Sequence, residues 1–196
     1  MSEILLINAC VREQSRTREL AKHVLHLLDG AVEEVNLYEV ALRPLDGDGM
    51  RERDAACSAG DFSADRFALA RQFATAKTIV IAAPYWDLMF PAVLKTYFEA
   101  VTVNGLTFVY GKDGIPRGLC QAERLLYVTT SGGPIMKNFG FEYVCALAKS
   151  FYGIKDVHCF SAQGLDIHGA DVAAILQAAK ENVTAQLACN GQKEML

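Results

Sequence analysis

No apolar run in this sequence approaches the roughly 20 residues that a membrane-spanning helix needs. No basic leader precedes the opening segment MSEILLINA, which reads as a strand rather than a signal peptide. Basic charge is scarce as well: 19 Lys and Arg stand against 23 Asp and Glu, a formal net charge of −4. Such a balance lacks the basic face of a nucleic-acid-binding protein. The six cysteines (Cys10, Cys57, Cys120, Cys145, Cys159 and Cys189) show no CxxC pair and no metal-like spacing, so neither a disulfide framework nor a zinc site is expected. Of the four histidines, His23 and His26 fall three apart on one predicted helix, without the carboxylate of a metal motif. Neither G-x-G-x-x-G nor a Walker A loop occurs. Internal repeats and low-complexity tracts are also missing. These absences point to a cytoplasmic protein with no metal and no membrane or nucleic-acid partner.

What is present is a chain of 196 residues, 52% hydrophobic and 21% charged. That is enough to bury one sizeable core, so a single domain over 1–196 is the default. The run TIVIAAPYWDLMFPAVLKTYF, residues 78–98, organises the rest. Residues 78–83 are continuously apolar, as in a strand buried on both faces. Pro84 ends that strand, since proline gives a ladder no N–H. After Pro91, the apolar residues Val93, Leu94, Tyr97, Phe98 and Val101 recur at helical spacing, predicting a helix over 92–102. The loop between them, residues 84–90, is unusually aromatic and can wall a flat ligand.

Further strands are predicted at 4–9, 32–37, 124–130 and 157–161, and further helices at 17–28, 66–75, 141–152 and 171–187. Gly30 is placed to end the first helix. The polar stretch 43–65 is either mobile or an excursion near a site. Residues 105–118, with their glycine turns, read as a small excursion or a hairpin. Both segments are expected to wall an enclosed pocket. The tail NGQKEML reads as frayed. Alternating strands and helices imply a parallel sheet covered on both faces, a three-layer sandwich. Five strands fit the doubly wound order 2-1-3-4-5, whose ligand crevice lies outside the C-terminal ends of strands one and three.

Three loops at those ends carry the chemistry. The first runs from Cys10 to Arg18. Ser15 and Thr17 offer hydroxyls beside the free N–H groups of a helix start, and Arg12, Arg16 and Arg18 add positive charge, a pattern that suits a phosphate. The alternative is a plain Ser cap with solvated arginines. In the second loop, the backbone N–H groups of Tyr85, Trp86, Asp87 and Leu88 are candidate donors to a flat heterocycle. The third, Thr130-Ser131-Gly132-Gly133, combines hydroxyls with glycines that let backbone approach a ligand closely.

Taken together, Ser15-x-Thr17-x-x-Leu20, the segment from Ala82-Ala83-Pro84-Tyr85-Trp86 to Tyr97-Phe98, Gly105-x-Thr107-Phe108 and Thr130-Ser131-Gly132-Gly133 resemble the FMN-dependent NADH-azoreductases. That family belongs with the NAD(P)H:quinone oxidoreductases of flavodoxin-like fold. The resemblance spans nearly the whole chain, and its middle segment is the most specific. It implies a homodimer with one FMN per subunit at the interface, the helix after Pro91 forming part of the contact. Cys10, Ser15, Arg16 and Thr17 would lie on the phosphate loop. Tyr85, Trp86, Asp87 and Leu88 would border the ring system, and Thr130, Ser131, Gly132 and Gly133 its other edge. It further implies a ping-pong reaction in which NADH or NADPH reduces FMN and a quinone or azo compound reoxidises it. Three positions depart from the family: Cys10 replaces its usual serine, Asp87 a common asparagine and Ser131 an arginine of some members. Tyr85, Tyr110 and His168 are candidate proton donors, none of them assigned. A flavodoxin-like electron carrier and an FMN-binding regulatory subunit of a membrane transporter are the alternative readings.

Overall fold

The computed structural model describes residues 3–191. Five parallel strands form the main sheet: β1 (Ile4–Asn8), β2 (Val32–Asn36), β3 (Thr78–Ala82), β6 (Arg124–Thr130) and β7 (Asp156–Ala162). Their order, β2-β1-β3-β6-β7, is the predicted 2-1-3-4-5 once the five are counted by themselves. The short strands β4 (Phe108–Tyr110) and β5 (Pro116–Gly118) form a separate antiparallel hairpin.

Period-two alternation sorts each strand between two cores. Leu5 and Ile7 of β1, with Ile79 and Ile81 of β3, pack under α3 (Ala68–Thr75), α4 (Ala92–Val101) and α5 (Phe139–Leu147). Ile4 and Leu6, with Val80 and Ala82, pack under α1 (Arg16–His26) and α6 (Val172–Gly191). Both faces of β1 and β3 are therefore covered, which accounts for their unbroken apolar runs. The edge strand β2 is largely exposed and buries Val35.

Several expectations need correction. The stretch 43–65 contains a helix, α2 (Gly47–Ala59), capped by Asp46 and closed by left-handed Gly60. None of its residues is buried, so no apolar periodicity marked it. Arg53 Nη1 donates to the Glu99 carbonyl, and its other terminal nitrogen to that of Thr102. That anchors α2 at the C-terminal end of α4, remote from the sheet edge where α4 begins. The β4–β5 hairpin packs near the same end, with Phe108 against Phe151 and Gly118 against the Tyr152 backbone. Neither excursion walls the crevice. Helix α1 ends at a Leu27 cap, with Gly30 three residues beyond. The helix predicted over 141–152 begins at Phe139 and finishes in a π-turn, Ala148–Tyr152. Of the tail, Asn190 and Gly191 continue α6, and the remainder lies outside the described residues. Among the described residues, no helix is long and apolar enough to cross a membrane and no cluster of metal-ligating side chains occurs. All six cysteines are free.

Candidate functional site

A cavity of about 260 Å³ opens where β1, β3, β6 and β7 end. The first loop contributes Cys10, Val11, Arg12, Gln14, Ser15, Arg16 and Thr17 to its lining. Its course is set by Asn8, the fully buried last residue of β1. Asn8 Oδ1 accepts from the Cys10 N–H at 2.9 Å, and Nδ2 donates to Glu34 Oε1 at 2.7 Å. Both ends of the amide are thereby used, which fixes its orientation and the turn after it. The Cys10 thiol donates to the Ala82 carbonyl at 3.6 Å, back into the sheet. Burial raises the Cys10 thiol above its usual range, against smaller opposing effects of Ser15 and Arg18. At neutral pH it is a protonated filler rather than a thiolate.

Ser15 caps α1, its Oγ accepting from the Arg18 N–H at 3.2 Å. The N–H groups of Arg16 and Thr17 have no acceptor within the helix. Thr17 Oγ1 lies 2.6 Å from Thr130 Oγ1, and both residues are buried. The arginines are not simply solvated: Arg16 pairs with Asp166 at 2.6 Å and Arg18 with Glu34 at 3.1 Å.

From the second loop, Pro84, Tyr85 and Trp86 line the cavity. Asp87 and Leu88 do not, because the chain reverses there in a tight turn. Trp86 N–H donates to the Met89 carbonyl at 2.9 Å, and Met89 N–H to that of Trp86 at 2.8 Å. The two residues between have φ of 49° and 68°, the paired left-handed geometry of a two-residue hairpin turn. Aspartate tolerates that conformation; leucine does not do so readily. Tyr85 N–H donates to the Thr130 carbonyl at 3.0 Å. The donors expected from Tyr85 and Trp86 are thus spent inside the chain, and those of Asp87 and Leu88 sit at the turn's tip.

From the third loop, Thr130, Ser131 and Gly132 line the cavity while Gly133 lies just outside. Ser131 N–H donates to the Ala162 carbonyl at 3.0 Å. The N–H groups of Gly132 and Gly133 have no backbone acceptor among the described residues. Nine of the twelve predicted site residues therefore meet at one cavity. Sequence reasoning missed a fourth wall, Leu165 and Asp166 of the β7–α6 loop. Their N–H groups donate to the Ser131 and Gly132 carbonyls at 3.1 and 2.9 Å, extending the β6–β7 pairing past the strand ends. A Gly-Leu-Asp after a fifth strand was the one signal, and it is too common to stand out.

Of the candidate proton donors, Tyr85 reaches the cavity wall, its hydroxyl donating to the Lys137 carbonyl at 2.9 Å. Tyr110 is on the distant hairpin, and His168 is exposed and not part of the lining.

A doubly wound sheet with a polar cradle and an aromatic wall at its switch point defines a flavodoxin-like protein. The family model described as flavodoxin-like fold matches residues 2–187, and the chain belongs to that family. An FMN-dependent NADH:quinone oxidoreductase of Lachnoclostridium phytofermentans is 34% identical over 196 aligned positions, covering 92% of this chain and 96% of that protein. One from Coprothermobacter proteolyticus is 41% identical over 107 residues, a match spanning about half of each chain, 52%. The solved structure of an FMN-dependent NADH-azoreductase from Bacillus anthracis in complex with FMN superposes with a TM-score of 0.78. It is 24% identical, covers 96% of this chain and 98% of that one, and bears on the fold.

Proposed function

We propose that the protein is an FMN-dependent oxidoreductase in which NADH or NADPH reduces the cofactor and a quinone reoxidises it, with reductive cleavage of azo compounds by the same two half-reactions. One observation carries this reading. An anion-accepting helix start and an exposed aromatic wall meet at a single cavity on the C-terminal edge of the sheet. The name of the relative that spans nearly the whole chain, an FMN-dependent NADH:quinone oxidoreductase, supports it.

The residues present fit the cofactor. The Arg16 and Thr17 N–H groups, the Ser15 hydroxyl and the guanidinium of Arg12 match a phosphate monoester in charge and donor type. Cys10 and Thr17 seal the floor beneath them. Tyr85 and Trp86 border the ring system, Trp86 with 41% of its surface exposed, with Asp87 and Leu88 on the rim beyond the cavity lining. Thr130 and Ser131 hold the opposite edge, where the free N–H groups of Gly132 and Gly133 suit carbonyl oxygens.

FMN, when bound, supplies the two-electron chemistry. The chain's own residues would bind and orient the cofactor. No side chain at the cavity is a ready general acid, because the Tyr85 hydroxyl is committed to a carbonyl. Proton delivery is therefore assigned to solvent.

The whole chain acts as one FMN-binding domain and works in the cytoplasm as a homodimer. Exposed Trp86, Leu88, Met136 and Phe139 around the same sheet end are the apolar surface a second copy would cover. An anaerobic titration of the yellow protein with NADH and NADPH, followed by a quinone and azo-dye panel, tests the reading. Protein that binds no added FMN and fails to oxidise NADH with benzoquinone would overturn it. Poor turnover by flavin-loaded protein would favour an electron carrier.

A further inference from the structure

Arg16 stands at the first position of α1, on the cavity wall, yet its guanidinium is already engaged. Nη1 donates to Asp166 Oδ1 at 2.6 Å and to the Leu165 carbonyl at 3.2 Å. Both acceptors sit on the β7–α6 loop, and that loop is itself fixed. Its Leu165 and Asp166 N–H groups donate to the Ser131 and Gly132 carbonyls. Gly132 explains how the carboxylate comes so near. A Cβ on Gly132 would lie 2.4 Å from Asp166 Oδ2 and 3.0 Å from its Cγ, so a side chain there would push the carboxylate aside. On the other flank of the helix start, Glu34 takes Arg18. Among the described residues, Arg12 is the cavity-lining arginine with no acidic partner.

A helix start draws a phosphate through its free N–H groups and dipole, and a nearby guanidinium adds to that attraction when it is free to turn toward the ligand. Here a built-in carboxylate occupies such a guanidinium inside the cavity. We propose that Asp166 is an intramolecular competitor for the phosphate of FMN: it holds Arg16 in the ligand's absence and lowers the affinity of the site for a phosphate monoester. This rests on the FMN reading above and makes Asp166 an affinity-determining residue.

The physical basis is competition for one nitrogen. Nη1 carries both bonds to the β7–α6 loop, and a phosphate that recruits it must displace the Asp166 carboxylate. Side-chain exposures of 41% and 69% for Arg16 and Asp166 keep the effect modest, about two- to fivefold in affinity for charges this well solvated. The consequence is a cofactor that exchanges with solution more readily than the cradle alone would allow.

The test is a fluorescence-quenching titration of the full-length apoprotein with FMN and with riboflavin, which has the same ring and no phosphate. Wild type, D166N, R16A and the double variant R16A/D166N are compared. D166N is expected to bind FMN about two- to fivefold more tightly and riboflavin with unchanged affinity, which also reports an intact site. Because the competition runs through Arg16, the gain should vanish in the R16A background. Unchanged or weaker FMN binding by D166N would overturn the proposal. So would a gain shared by riboflavin, or one that survives R16A. Wild-type protein that binds no FMN would instead overturn the FMN reading, and this proposal with it.

Discussion

The hydroxyl oxygens of Thr17 and Thr130 lie 2.6 Å apart, joining the first turn of α1 to the end of β6 under the cavity floor. Both residues are buried, so each hydroxyl depends on the other. Thr17→Val leaves Thr130 unsatisfied and should cost about 1–3 kcal/mol. The double variant with Thr130→Val should cost less than the sum of the two single changes. Urea unfolding of the four proteins checks this, and strict additivity would show that the pair is not coupled.

The turn at Asp87 and Leu88 holds two non-glycine residues at φ of 49° and 68°. Leu88 is 53% exposed, so little packing offsets its backbone cost. Leu88→Gly should raise stability by roughly 0.5–1 kcal/mol, since glycine adopts this conformation freely but loses more entropy on folding. Asp87→Asn should be nearly neutral, because both side chains tolerate the left-handed region. A clear loss of stability in Leu88→Gly would mean that the leucine is held by contacts.

Burial pushes the thiols of Cys120 and Cys159 from 9.0 up to about 12. It also raises the hydroxyls of Tyr97, Tyr127 and Tyr152 above 10.0. In the unfolded chain these groups ionise first, so above pH 9 the unfolded state binds fewer protons than the folded one. Their contribution is complete below pH 9 and is lost as pH rises toward about 12. Urea midpoints should therefore fall steadily on the alkaline side, with a slope of at most ~1.4 kcal/mol per pH unit for each thiol. Cys120→Ala should be less stable than wild type at pH 7 and show a shallower alkaline decline. A parallel decline would contradict the assignment.

Gly118 ends β5 against the π-turn at the base of α5. A Cβ there would lie 2.0 Å from the Tyr152 carbonyl carbon and 2.2 Å from the Gly153 nitrogen. Backbone on backbone has no rotamer to relieve it. Gly118→Ala should destabilise the protein by about 3 kcal/mol or more, whereas an alanine at Gly114, which meets nothing within 4 Å, faces only its φ of 75°. Thermal unfolding of the two variants gives the comparison.

The sheet was legible because its strands are buried on both faces. Residues 4–8 and 78–82 are buried at every position and apolar at all but Asn8 and Thr78, and such runs separated by amphipathic helices leave few arrangements. The aromatic loop after β3 and the hydroxyl-and-arginine helix start stood out for the same reason: each is improbable as ordinary surface. Helix α2 stayed hidden because it fully buries no residue and packs only Ala56 and Cys57 partly against the core, and apolar periodicity is the only strong helix signal in a polar stretch. Other features were decided by chain segments far apart in sequence. Asp166 meets Arg16 across 150 residues, through pairing of two strand ends that no local pattern reports. The spending of the Tyr85 and Trp86 N–H groups depends on carbonyls whose positions exist only after the fold has closed. Local chemistry thus determined which strand ends matter, and tertiary contact determined which donors, charges and hydroxyls remain free there. Hydrogen bonds and ion pairs act over a few ångströms, and only the folded chain brings their partners within that range.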